Sequence, residues 1–144
     1  MELSEIKKMA YKDMPIDDTE LDLESLKTPQ LHNKYLNIFH DERLVLRKLE
    51  IDHKTLLKTK WEYYTGKIDE ETLEEYGWDP FPLKILKSDI QMYLDADEDL
   101  NLIENKIVYQ KEKVSYLESI LKSINNRQWN IRGAIDWRKF ISGV

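Results

Sequence analysis

Residues 103–135 read IENKIVYQKEKVSYLESILKSINNRQWNIRGAI. Steps of four and three from Ile103 meet Ile107, Gln110, Val114, Leu117, Leu121, Ile124, Gln128, Ile131 and Ile135, and eight of these ten positions are apolar. An apolar residue every 3.5 positions or so marks a helix with one continuous seam to bury. A second row, Leu102, Tyr109, Tyr116 and Ile120, widens the face beyond what a two-stranded contact covers. Gly133 falls near the end of this run, and the helix is expected to continue through Phe140.

Upstream, Thr28-Pro29 reads as a helix start, because Thr caps an orphan N–H and Pro fits the first turn. Gly66 reads as its stop, since glycine takes the left-handed conformation that ends helices. Between them Leu31, Tyr35, Ile38, Val45, Leu49, Leu56 and Tyr63 form an apolar stripe. Residues 16–27 give no clear assignment, and before Pro15 a short segment places Leu3, Ile6 and Ala10 on one helical face. Residues 67–84 are acidic and contain Pro80 and Pro82, with a short helix expected around Glu71 to Tyr76. Helix resumes from Ser88, with Asp97 and Asp99 near the start of the main run. The expectation is an all-α chain of one domain in four parts: residues 1–28, a long basic helix 29–66, an acidic connector 67–87 and a C-terminal helix 88–144. Two long helices with apolar faces this broad point to a neighbouring copy that covers them.

Composition supports this reading. Of 144 residues, 35% are charged and 41% hydrophobic, with four Gly, four Pro and no Cys. Few breakers argue against a many-stranded sheet, and the lack of cysteine excludes disulfides and thiolate chemistry. No apolar run is long enough to span a membrane. The acidic start, Met1 to Glu5, lacks the apolar core of an export signal. His32, His40 and His53 have no metal-ligand spacing, and no phosphate-cradling GxxxxGK[ST] is present. Asp95 to Asp99 mimics the start of a calcium loop, but Leu100 and Lys106 stand where Gly and Glu are needed. An enzyme is not expected, and neither is a cofactor.

The net charge of −6 is unevenly distributed. Residues 42–67 carry seven basic and four acidic side chains, residues 68–100 two and eleven, and residues 121–144 five and one. The first basic island holds Lys54, Lys58, Lys60, Trp61, Tyr63, Tyr64 and Lys67, with Arg47 on the face of Lys54 and Lys58. Cations for phosphates and rings for bases are what single-stranded nucleic acid requires. The same rings also suit packing, and the residues alone leave both readings open. The second island, Arg127, Trp129, Arg132, Trp137, Arg138, Lys139 and Phe140, reads more readily as a subunit contact. The acidic connector would suit a basic protein partner, so a helical scaffold that binds only proteins is the alternative reading.

The segment Leu57 to Gly66, LKTKWEYYTG, resembles the Lys-Ala-Arg-Leu-Asp-Tyr-Tyr-Ser-Gly stretch of the UvsY family, recombination mediators of T-even-type bacteriophages. The run Arg127 to Phe140 is similar to the family's closing helix, and Leu94 to Asp97 to its Leu-Ser-Ala-Asp element. The likeness covers roughly residues 30–66 and 85–144. It implies a protein that binds single-stranded DNA and loads a RecA-like recombinase onto DNA coated by the phage single-strand binding protein, in the cytoplasm of a bacterial host. It implies a hexamer or heptamer, ring-like, assembled through Ile107, Val114, Leu117, Leu121, Ile124, Ile131, Ile135, Trp137 and Phe140. Lys58 and Lys60 take the basic DNA-contact positions, and Tyr63 and Tyr64 the aromatic pair. Lys60 stands where the family has Arg and lacks its bidentate fork.

Overall fold

The computed structural model describes residues 1–143, and all its regular structure there is helical. Five α-helices follow in order: α1 (Leu3–Asp13), α2 (Leu21–Thr65), α3 (Glu70–Tyr76), α4 (Ile90–Asp95) and α5 (Glu98–Ile141), with a 3₁₀ turn at Lys87–Asp89. The described chain forms two compact units, residues 1–43 with 111–144, and residues 44–110.

In the first unit, α1 and the N-terminal part of α2 cover the α5 seam. Ile6 and Ala10 of α1 and Tyr35 of α2 bury Leu117, Leu121 and Ile124, with Leu31, Ile38, Phe39 and Tyr116 around them. Leu117, Leu121, Ile124 and Ile131, expected at a subunit contact, are buried inside the chain itself. The physical reason is α1. Its small apolar face, Ile6 and Ala10, supplies the third surface that a two-helix reading lacked. Val114 and Ile135 are half-buried in this unit, as Ile107 is in the second, whereas Trp137 and Phe140 are exposed.

The start of α2 also differs from expectation. The helix begins at Leu21, eight residues before Pro29, which lies in its interior. Asp17 closes the preceding turn by accepting from the Thr19 amide at 2.9 Å and hydroxyl at 2.6 Å. Proline inside a helix removes the bond to the carbonyl four residues back and crowds it. The turn before Pro29 is held instead from α5: Arg127 donates to the Glu24 carboxylate and to the Glu24 carbonyl, and Ser25 donates to Gln128 at 3.2 Å. Lys27, and after the opposing effect of burial Arg127, keep the Glu24 carboxyl below its ordinary range. The Arg127 side chain is fully buried and occupies the seam position that the heptad count assigns to Gln128. Elsewhere in the unit Asp13 accepts from Lys34 at 2.6 Å and Tyr35 at 2.9 Å, and Lys113 pairs with Glu42 at 3.3 Å.

Removing one partner of a buried ion pair leaves the other charge uncompensated. Arg127→Ala is expected to destabilise the chain by about 3 kcal/mol, whereas the exposed Arg132→Ala changes stability by less than about 0.5 kcal/mol; urea unfolding followed by circular dichroism measures both.

Candidate nucleic-acid interface

The second unit is built around the C-terminal part of α2. Gly66 ends that helix in the left-handed conformation at φ 74°, and the Lys67 and Ile68 amides cap the Glu62 carbonyl at 2.9 and 3.1 Å. Asp69 caps α3 by accepting from the Thr72 amide at 2.7 Å. Asp97 caps α5 by accepting from the Leu100 amide at 2.9 Å, so the acids from Asp95 to Asp99 surround a helix start. The C-terminal helix expected from Ser88 is thus broken at Ala96-Asp97 into α4 and α5. Ile90, Leu94 and Leu100 form the core, packed against Leu56, Tyr64 and Ile85.

An α-helix turns by about 100° per residue, so Lys58 and Lys60, two positions apart, point about 200° from one another. The structure separates them accordingly. Lys58 is exposed, with 80% of its side chain accessible and a loose pairing to Glu62 at 3.7 Å. Lys60 is 5% exposed. Its ammonium lies 3.1 Å from Asp97 and 2.8 Å from Asp99, and 3.9 Å from the centre of the Trp78 ring. This geometry does not offer Lys60 to a phosphate. Tyr63 and Tyr64 also face inward: the Tyr63 hydroxyl donates to the Asp79 carbonyl at 2.7 Å, and the Tyr64 hydroxyl to Asp97 at 2.6 Å. Their rings pack edge-on against Trp78 and Phe81, which ties the connector to α2. Burial pushes the Asp97 carboxyl up, but Tyr64, the Leu100 amide and Lys60 together hold it below the usual carboxylate range.

The outer face of α2 has the opposite character. Arg47, Lys54, Lys58 and Trp61 fall within about 60° of one another around the helix, and all four are exposed, Trp61 by 39%. Lys67, beyond the helix end, places its ammonium 4.7 Å from the centre of the Trp61 ring. Of the seven sequence-selected residues, Lys54, Lys58, Trp61 and Lys67 stand at the surface, and Lys60, Tyr63 and Tyr64 hold the connector. The roles of Trp78, Asp97 and Asp99 as partners of Lys60 were not read from sequence. The two-residue spacing of Lys58 and Lys60 was the signal for their separation. Among the described residues no group of His, Cys, Asp and Glu is arranged to hold a metal ion, and no helix is long and apolar enough to cross a membrane.

These features define a helical protein with a cationic and aromatic face on one exposed helix. Over residues 9–144 the chain matches the family described as recombination, repair and ssDNA binding protein UvsY. It belongs to the UvsY family of phage recombination mediators. The recombination protein uvsY of Enterobacteria phage T4 is 27% identical over 143 residues, 99% of each chain. Two crystal structures of the bacteriophage T4 recombination mediator protein UvsY match with TM-scores of 0.86 and 0.82, at 25% and 26% identity. They cover 99% and 94% of this chain, and 98% of each of theirs is matched.

The Asp97 carboxyl is depressed by folding, so its contribution to stability is complete above the ordinary carboxylate value and is lost as pH falls through the folded value. The stability difference between the wild type and Asp97→Asn is expected to be constant from pH 8 to about pH 5 and to shrink below about pH 4. Lys60→Ala is expected to release the connector, seen as increased solvent quenching of Trp78 with Trp61, Trp129 and Trp137 replaced by Phe. A Lys60→Ala protein with Trp78 equally protected excludes this holding role.

Proposed function

We propose that the chain is a recombination mediator that binds single-stranded DNA and promotes loading of a RecA-like recombinase onto DNA coated by single-strand binding protein. It would do so in phage homologous recombination, recombination-dependent replication and repair. The observation that supports this most directly is the exposed stripe of Arg47, Lys54, Lys58 and Trp61, with Lys67 over the Trp61 ring. Lysines along one face track phosphates, and a half-exposed tryptophan gives a base a surface to stack on. Lys60, Tyr63 and Tyr64 act in this reading through the connector they hold. The family match supports the recombination context.

The working form is a homo-oligomer. Trp137 and Phe140 stack on each other with ring centroids 5.6 Å apart, yet are 60% and 73% exposed, and Ile141 beside them is 64% exposed. Such an apolar end invites a second copy. Several basic stripes on one assembly bind one strand by multivalency, so that modest contacts sum. A strand drawn across them is held in a shape that the single-strand binding protein does not favour, and is offered to the recombinase.

Fluorescence anisotropy with labelled single-stranded DNA tests the DNA face. Lys54→Ala/Lys58→Ala is expected to weaken binding about tenfold and to flatten the plot of log K against log salt by about 1.4, the share of two phosphate contacts on a single strand. An unchanged slope places the contacts elsewhere. For assembly, Trp137→Ala/Phe140→Ala is expected to lower the mass measured by light scattering toward the 17.3 kDa protomer.

A further inference from the structure

Within the second unit, the end of α2, the irregular stretch after α3, and α4 enclose an open groove of about 810 Å³. Trp61 and Phe81 line it, over a base that includes the buried Ile90 and Leu94. Its cations are Lys67, Lys84 and Lys87. Residues 68–100 contain eleven acidic side chains and two lysines. Both lysines line the groove, and none of the acids does. Among the described residues no carboxylate pairs with Lys84 or Lys87, and both are exposed. A merely solvated surface has no reason to sort charge in this way, because intermixed signs lower the repulsion in so acidic a segment. The groove is a local basic spot with ring surfaces, the combination that a nucleotide recognises. Its volume lies in the range of pockets that hold a small ligand, which suits a short piece of an extended strand.

The groove is also continuous with the stripe on α2, since Trp61 and Lys67 belong to both. We infer that it is a subsite for a short nucleotide segment of the bound single strand, with phosphates on Lys84 and Lys87 and bases against Trp61 and Phe81. This inference rests on the DNA-binding reading proposed above and extends the path from α2 into the connector. The connector, whose overall charge is repulsive to DNA, thereby contributes Lys84 and Lys87 to the same track.

The test uses the full chain in its assembled form, with anisotropy of labelled single-stranded DNA over a range of salt. Lys84→Ala/Lys87→Ala is expected to weaken binding about fivefold to tenfold and to flatten the log–log salt plot by about 1.4, with light-scattering mass and circular dichroism unchanged. Lys84→Arg/Lys87→Arg keeps the charge and is expected to retain the wild-type slope. If the alanine pair binds DNA like the wild type while Lys54→Ala/Lys58→Ala does not, the groove is no DNA subsite and the α2 reading stands. If the wild type itself shows no salt-dependent binding of single strands, the proposed function falls and the subsite with it. A labelled acidic peptide containing tryptophan provides the other arm. Loss of peptide binding by the alanine pair, with DNA binding intact, overturns the inference in favour of a protein-docking groove.

Discussion

The rotation of an α-helix by about 100° per residue divides the basic end of α2 into two faces with different chemistry. Leu56, Lys60, Tyr63 and Tyr64 turn inward, where carboxylates and rings wait for them. Arg47, Lys54, Lys58 and Trp61 turn outward. Lys60 and the two tyrosines hold Asp97, Asp79, Trp78 and Phe81, and Phe81 is one wall of the groove that begins at Trp61. A residue on the inner face can thus shape the outer surface without being part of it.

The same logic governs the first unit. A chain that is 35% charged places some of its charges inside, and each of the most buried cations has a carboxylate partner. Arg127 meets Glu24, Lys113 meets Glu42, and Lys60 meets Asp97 and Asp99. Such pairs add little net stability when compared with apolar packing, but their loss is costly because one charge is left stranded. They also change how much positive charge is left to act on a ligand. Counting lysines and arginines along the chain overstates the cations available to any anionic ligand, because Lys60 and Arg127 are already engaged.

For a mediator, this division has a functional consequence. Among the exposed cations, Arg47, Lys54 and Lys58 share one face of α2, and Lys67, Lys84 and Lys87 line one groove. In the proposed function, weak phosphate contacts repeated in each copy of an oligomer would grip a flexible strand through many small contributions. Each contribution is screened by salt, which keeps the hold reversible. Reversibility suits the proposed transfer of the strand to a recombinase.

Much of the architecture was legible in sequence. The apolar period from Ile103 to Ile135, the glycine stop at Gly66, the short helix ending at Tyr76 and the acidic start of α5 are local signals, set by residues a few positions apart. The all-helical class and the shared face of Arg47, Lys54 and Lys58 follow from the same short-range periodicity. Tertiary structure alone decided what covers the seam, where α2 begins and which cations are free. The turn of α2 before Pro29 is held by Arg127, 103 residues from Glu24, and the fate of Lys60 depends on Asp99, 39 residues away. Periodicity states which side of a helix a residue occupies. What stands opposite that side is a matter of packing between distant segments, and it separates the lysine that faces solvent from the lysine that holds the fold.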